Sequence, residues 1–229
     1  MTADTPSRPD ACAVCGVKIE PWEHVCRSRR CQAKLEWENL SLDQRLARAR
    51  EAGVGEFFLA KNDHQLLRLS QFWPGDLMRP GQSLYVCGPV GTGKTLALCC
   101  LVCCHLAAGH GVRLVNWRRM QIEVRATYQP ASRATELDLL NAYAGLDVLC
   151  LDDLGAGTDE EERETAAARR LLYTVMDDRY ANARITYVTG NVPPGELAQK
   201  YDPRIARRIE TMCRIVVLVE PVATRRPYE

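Results

Sequence analysis

The chain has 229 residues, 46% of them hydrophobic and 26% charged, which is enough for one sizeable buried core with a small appendage and too few for two large domains. Thirty basic residues against 29 acidic ones leave a net charge of +1, so the overall field draws in neither nucleic acid nor an anionic membrane. The longest apolar stretch, Leu96 to Ala108, is 13 residues long and contains His105, too short for a membrane span.

The opening residues MTADTPSRPD have neither the basic region nor the apolar stretch of a secretory signal, so a cytoplasmic protein is expected. In a reducing compartment the 11 cysteines are expected as metal ligands or buried thiols, not disulfides. Residues 1–40 are polar, contain Pro6, Pro9 and Pro21, and read as a separate module. Within it, Cys12-x2-Cys15 and Cys26-x4-Cys31 supply four soft ligands, a set that suits one tetrahedral Zn²⁺ and could hold a segment with almost no core. His24 could replace Cys26, and a redox C-x-x-C is the rival reading, although that motif belongs beside a βαβ pattern. Arg27, Arg29, Arg30 and Lys34, with Trp22 and Trp37 nearby, suit either a nucleic-acid strand or a protein partner.

Residues 41–82 read as a linker helix and the N-terminal segment of the main domain. Ser41 to Ala52 is predicted helical, with Ser41 and Asp43 at its start and Gly53 and Gly55 closing it. Pro74, Gly75, Pro80 and Gly81 break the stretch that follows. From residue 83 to 229, short apolar runs alternate with longer helical ones, which predicts an α/β core with a five-stranded parallel sheet sandwiched by helices. The predicted strands are Ser83 to Cys87, Arg113 to Trp117, Val148 to Leu151, Ile185 to Thr189 and Ile215 to Val219. The predicted helices are Lys94 to Ala108, Arg119 to Tyr128, Ala134 to Ala144, Glu160 to Asn182 and Pro203 to Thr211. Thr158 and Glu161 form a capping box for the fourth of these, with Asp159 to Glu162 at its dipole-favoured end.

Gly88-Pro89-Val90-Gly91-Thr92-Gly93-Lys94-Thr95 fits the P-loop pattern in full and sits after a strand at the mouth of a helix. Its backbone N–H groups can point at ATP phosphates, Lys94 can place a charge on the β- and γ-phosphates, and the Thr95 hydroxyl can ligate Mg²⁺. Val148-Leu149-Cys150-Leu151-Asp152-Asp153 is an apolar strand ending in two carboxylates, the Walker B arrangement. Asp152 is placed beside Mg²⁺, and Asp153 is offered as base or orienter for an attacking water.

The P-loop GPVGTGKT, together with LDDLGAG at 151–157, DDRYANARITYVTGN at 177–191 and YDPRIARRI at 201–209, resembles the DnaC/IstB-type branch of AAA+ ATPases, which holds helicase loaders and transposition helpers. The resemblance runs from about residue 41 to the C-terminus and implies a P-loop NTPase fold of the AAA+ kind without a full helical lid. It implies further that Asn191 is a sensor for the γ-phosphate, although Gly190 stands where relatives commonly carry Ser. Arg208 matches an arginine finger acting on a neighbouring subunit's ATP, with Arg204 one turn before it. Asp153 stands where many AAA+ proteins carry Glu, and the shorter side chain implies slow, regulated hydrolysis. The segment with Arg118, Arg119, Arg125, Arg133 and Tyr128 is implied in single-stranded DNA contact, or else is a covering helical hairpin. ATP-dependent self-assembly follows from the same resemblance.

Cys99, Cys100, Cys103 and Cys104 have helical spacing that could hold a second metal, but in an apolar helix they are expected as core thiols, as are Cys87, Cys150 and Cys213. The expected function is that of an ATPase delivering a replicative helicase onto single-stranded DNA. The alternative within the branch is a transposition helper that targets a transposase. A small nucleotide kinase, or an adaptor gated by nucleotide without useful hydrolysis, is the reading from other classes.

Overall fold

The computed structural model describes residues 29–59, 82–155 and 164–218. Among these residues, two helices, α1 (Arg29–Asn39) and α2 (Leu42–Glu51), precede the sheet. Ser41 caps α2 reciprocally: its hydroxyl accepts from the Gln44 amide, and the Gln44 side chain accepts from the Ser41 amide at 2.8 Å. The α/β succession then runs β1 (Ser83–Cys87), α3 (Lys94–Ala107), β2 (Val112–Asn116), α4 (Trp117–Ala126), α5 (Glu136–Gly145), β3 (Val148–Leu154), α6 (Ala166–Ala181) and β4 (Ile185–Gly190). A 3₁₀ turn at Pro194–Glu196 leads into the short α7 (Leu197–Lys200), followed by α8 (Pro203–Met212) and β5 (Cys213–Val217).

All strand pairs are parallel, in the order β2-β3-β4-β1-β5. β4 is thus inserted between β1 and β3, so the loops leaving β1 and β3 flank a common crevice at the carboxyl edge, where open α/β sheets place ligands. The period of two along each strand sorts side chains to the two faces. Leu84, Val86, Val148, Cys150 and Tyr187 pack toward α2 and α3. Tyr85, Cys87, Leu149, Leu151 and Val188 pack toward the layer that contains α4, α6 and α8. Cys99, Cys100 and Cys103 are buried in the first of these layers as small apolar groups, and burial pushes their thiols upward in pKa.

The edge of β2 is covered locally: the Leu114 amide donates to the Ala52 carbonyl at 2.7 Å, where the chain leaves α2. Gly53 makes this approach possible, since it takes φ +101 and a Cβ there would lie 2.1 Å from the Leu114 oxygen. In the same layer α1 packs against α3, with Trp37 buried.

Several boundaries differ from the sequence reading for local reasons. β3 runs three residues beyond Leu151, through both aspartates, with an irregular register to β4 between Leu151 and Leu154. α6 begins at Ala166, not Glu160, because Thr165 caps it by accepting from the Ala168 amide; Thr158 and the acidic run lie outside the described residues. β5 starts at Cys213, straight out of α8, because Cys213 pairs in register with Ser83. Among the described residues, no helix is long and apolar enough to cross a membrane.

Candidate functional site

The loop between β1 and α3 carries the phosphate-binding pattern, and the sheet fixes both of its ends. Gly88 adopts φ +156 in tight contact with the chain leaving β5, where a Cβ would meet the Leu218 carbonyl oxygen at 2.4 Å. Gly93 is the N-cap of α3, so Lys94 and Thr95 open the helix. The Lys94 Nζ is folded onto the loop, donating to the Gly88 and Pro89 carbonyls at 2.7 Å each. Burial lowers its pKa, opposed by the charges of Asp153 and Asp152 nearby.

Across the crevice, β3 delivers Asp152, a buried carboxylate. It accepts from the Thr95 hydroxyl at 3.1 Å and from the Thr189 hydroxyl at 2.6 Å. Burial raises its pKa, while the hydrogen bonds from Thr189 and Thr95 and the charge of Lys94 work the other way. Asp153 follows at φ 65, a left-handed conformation that Asp tolerates better than most residues. Its amide donates to the Thr189 hydroxyl at 3.0 Å. Thr189 therefore binds both aspartates at once, one through its hydrogen and the other through its oxygen, and spans the irregular pairing between β3 and β4.

The structure brings together Gly88, Lys94, Thr95, Asp152 and Asp153. The Thr95 hydroxyl and the Asp152 carboxylate are hard oxygen donors converging on one point, a set that fits Mg²⁺. Asn191 lies exposed immediately past β4. Arg208 is bound to α6 instead of the P-loop: its Nε and Nη2 donate to Asp177 Oδ1 at 2.7 and 2.6 Å. Cys12, Cys15 and Cys26 lie outside the described residues, and Cys31 falls within α1. Zinc therefore rests on sequence spacing.

Sequence reasoning missed Thr189. The available signal was a hydroxyl at the end of an otherwise apolar strand, two residues before Asn191, in register with Val86 beside the P-loop. It also missed Asn116, which faces Asp152 in register and caps α4 by accepting from the Arg118 amide at 2.9 Å.

One family model, described as IstB-like ATP binding protein, matches residues 30–218. Among solved structures, the DnaC helicase loader aligns at a TM-score of 0.51 and 19% identity, covering 80% of this chain and 98% of that one. AMPPCP-bound DnaA from Aquifex aeolicus aligns at 0.50 and 19% identity, covering 72% of this chain and 47% of that one. Domain III of the Thermotoga maritima replication initiation protein DnaA aligns at 0.51 and 16% identity, covering 72% and 63%. These likenesses concern the fold. No curated protein shows significant similarity.

Proposed function

The chain belongs to the IstB-like ATP-binding protein family, and from that premise we propose that it hydrolyses ATP to control the delivery of a DNA-acting protein to its DNA target. The observation that carries this reading is the convergence of the P-loop hydroxyl of Thr95 on Asp152 at 3.1 Å, with Thr189 tying Asp152 to Asp153 behind it. This convergence supports a seat for nucleotide and its metal, with Asp153 beside it.

In this reading the backbone from Gly88 through Pro89, Val90, Gly91, Thr92 and Gly93 cradles the phosphates. Lys94 leaves the loop carbonyls for the β- and γ-phosphates, and Thr95 and Asp152 hold Mg²⁺. Bound Mg²⁺ supplies charge neutralisation of the phosphate oxygens. Asp153 orients or deprotonates the attacking water, Asn191 senses the γ-phosphate, and Arg208 acts on the ATP of a neighbouring copy, so ATP favours self-assembly. Arg119 and Arg125, exposed on α4, with Tyr128 and Arg133 beyond it, support DNA contact. That affinity should fall steeply with added salt. Zinc at Cys12, Cys15, Cys26 and Cys31 belongs to the same proposal.

Of the two partners, the family match supports a transposase, so a transposition helper is the first reading. A loader delivering a replicative helicase onto single-stranded DNA is the second, supported by the motifs and by a fold shared with the DnaC loader over 98% of that chain. The test is co-purification of the full chain with any transposase encoded beside its gene and with the host replicative helicase, each in Mg·ATP and Mg·ADP. Capture of the transposase in ATP, lost in Lys94→Ala, is the expected result. Capture of the helicase alone would replace the first reading with the second, and capture of neither would contradict both.

A further inference from the structure

α6 and α8 pack against each other on the face of the sheet away from α3. Tyr173, Asp177 and Tyr180 recur at i, i+4 and i+7 on α6, so they share one side of that helix. Arg204 and Arg208 recur at i and i+4 on α8 and meet them. The Arg208 guanidinium lies 4.4 Å from the Tyr180 ring centroid, and its Nε and Nη2 both donate to Asp177 Oδ1, at 2.7 and 2.6 Å. The Arg204 guanidinium lies 4.7 Å from the Tyr173 ring centroid, with its Nε donating to Asp202 at 3.0 Å. Asp202 is itself the N-cap of α8 and accepts from the Arg204 amide at 2.8 Å.

A solvent-facing arginine ordinarily keeps rotamer entropy that is lost when it engages a ligand. Here one edge of the Arg208 plane is fixed by a carboxylate and one face by an aromatic ring. Much of that ordering is complete before any phosphate arrives, which is what preorganisation requires of a group that stabilises developing charge.

We propose that Asp177, with Tyr180 beneath the guanidinium, is a positioning residue for Arg208, holding it in the orientation from which it reaches the phosphates of a neighbouring copy. The inference rests on the trans role of Arg208 proposed above. It assigns no contact with substrate to Asp177 itself.

The test is phosphate release from Mg·ATP by the full chain over a range of protein concentrations, with poly-dT present. Asp177→Asn is expected to lower the plateau rate per chain about 10- to 100-fold. Its KM for ATP should stay within about twofold of wild type, because the nucleotide's own binding loop is untouched. Asp177→Glu, which keeps the charge, should recover part of the rate. The decisive readout is mixing. An Asp153→Asn chain cannot hydrolyse but carries an intact Asp177–Arg208 pair. Combined with Asp177→Asn it should restore turnover, since the sound arginine and the sound site then meet across an interface. Should Asp177→Asn fail to fold, Tyr180→Leu carries the same comparison. A wild-type rate in Asp177→Asn, or a slow rate that mixing leaves unchanged, overturns the positioning role. A wild-type rate in Arg208→Ala overturns the trans role and the positioning with it. A slow Arg208→Ala beside a normal Asp177→Asn overturns the positioning alone.

Discussion

Asp152 is held in its buried place against its own electrostatics. Burial raises its carboxyl pKa, and only the Thr189 and Thr95 hydroxyls and Lys94 offset that cost. A raised acid pKa means the fold prefers the neutral form. Stability is then greatest below the ordinary carboxylate range and falls as pH rises through it, the loss being complete above the folded pKa. At neutral pH the ionised Asp152 is therefore a stability cost, one that the proposed Mg²⁺ role accounts for. Asp152→Asn should raise the thermal midpoint at pH 7. The gain should disappear near pH 3, where the wild-type carboxyl is neutral, and Mg²⁺-dependent nucleotide affinity should be lost. A lower midpoint at pH 7 would show that the carboxylate is a net structural asset. At this scale the P-loop and both aspartates were legible because residue type and spacing encode them. Thr189 was not, because its role depends on the irregular register of β4 against β3 between Leu151 and Leu154, which spacing along the chain does not reveal.

At the scale of elements, the residue that ties most together is Arg179, which is fully buried near the end of α6. Its Nη1 donates to the carbonyls of Tyr143, Ala144 and Leu146 at 2.9, 3.2 and 3.0 Å, and its Nε donates to Thr186 Oγ1 on β4 at 2.8 Å. The carbonyls lie at the C-terminal end of α5, where unpaired acceptors and the negative end of the helix dipole suit a cation. Burial still pushes its pKa down to about 10. Arg179→Lys keeps the charge but not the planar fork of donors, so it strands several buried carbonyls. The expected loss is about 2–4 kcal/mol in urea unfolding, and a loss below about 0.5 kcal/mol, ordinary for a surface site, would contradict the staple. The strands and most helices were legible from apolar periodicity, and β1 was placed at its observed ends. The extension of β3 through Asp153 was not, since two adjacent carboxylates read as the end of a strand until a cross-strand hydroxyl holds them in it. The late start of α6 was equally hidden: an acidic run after a Thr carries the signature of a helix start, and Thr165 carries a competing one closer to the apolar face.

For the whole molecule, a net charge of +1 says little about DNA, because exposed arginines such as Arg119 and Arg125 on α4 act locally whatever the total. The family is shown by a match over residues 30–218, whereas the motifs pointed first to a helicase loader. The two roles share the nucleotide chemistry and differ in the protein delivered, which no residue of the ATP site records. What both require is that the chain turn ATP over in an assembled state, and this separates them from an adaptor that only binds nucleotide. The most direct measurement is phosphate release from Mg·ATP by the full chain, wild type against Asp153→Asn, from dilute to concentrated protein with and without DNA. Turnover in an assembled state predicts a slow rate per chain that climbs with concentration and is abolished in Asp153→Asn while nucleotide affinity is kept. A wild-type chain that binds Mg·ATP and releases no phosphate at any concentration, with or without DNA, would contradict it.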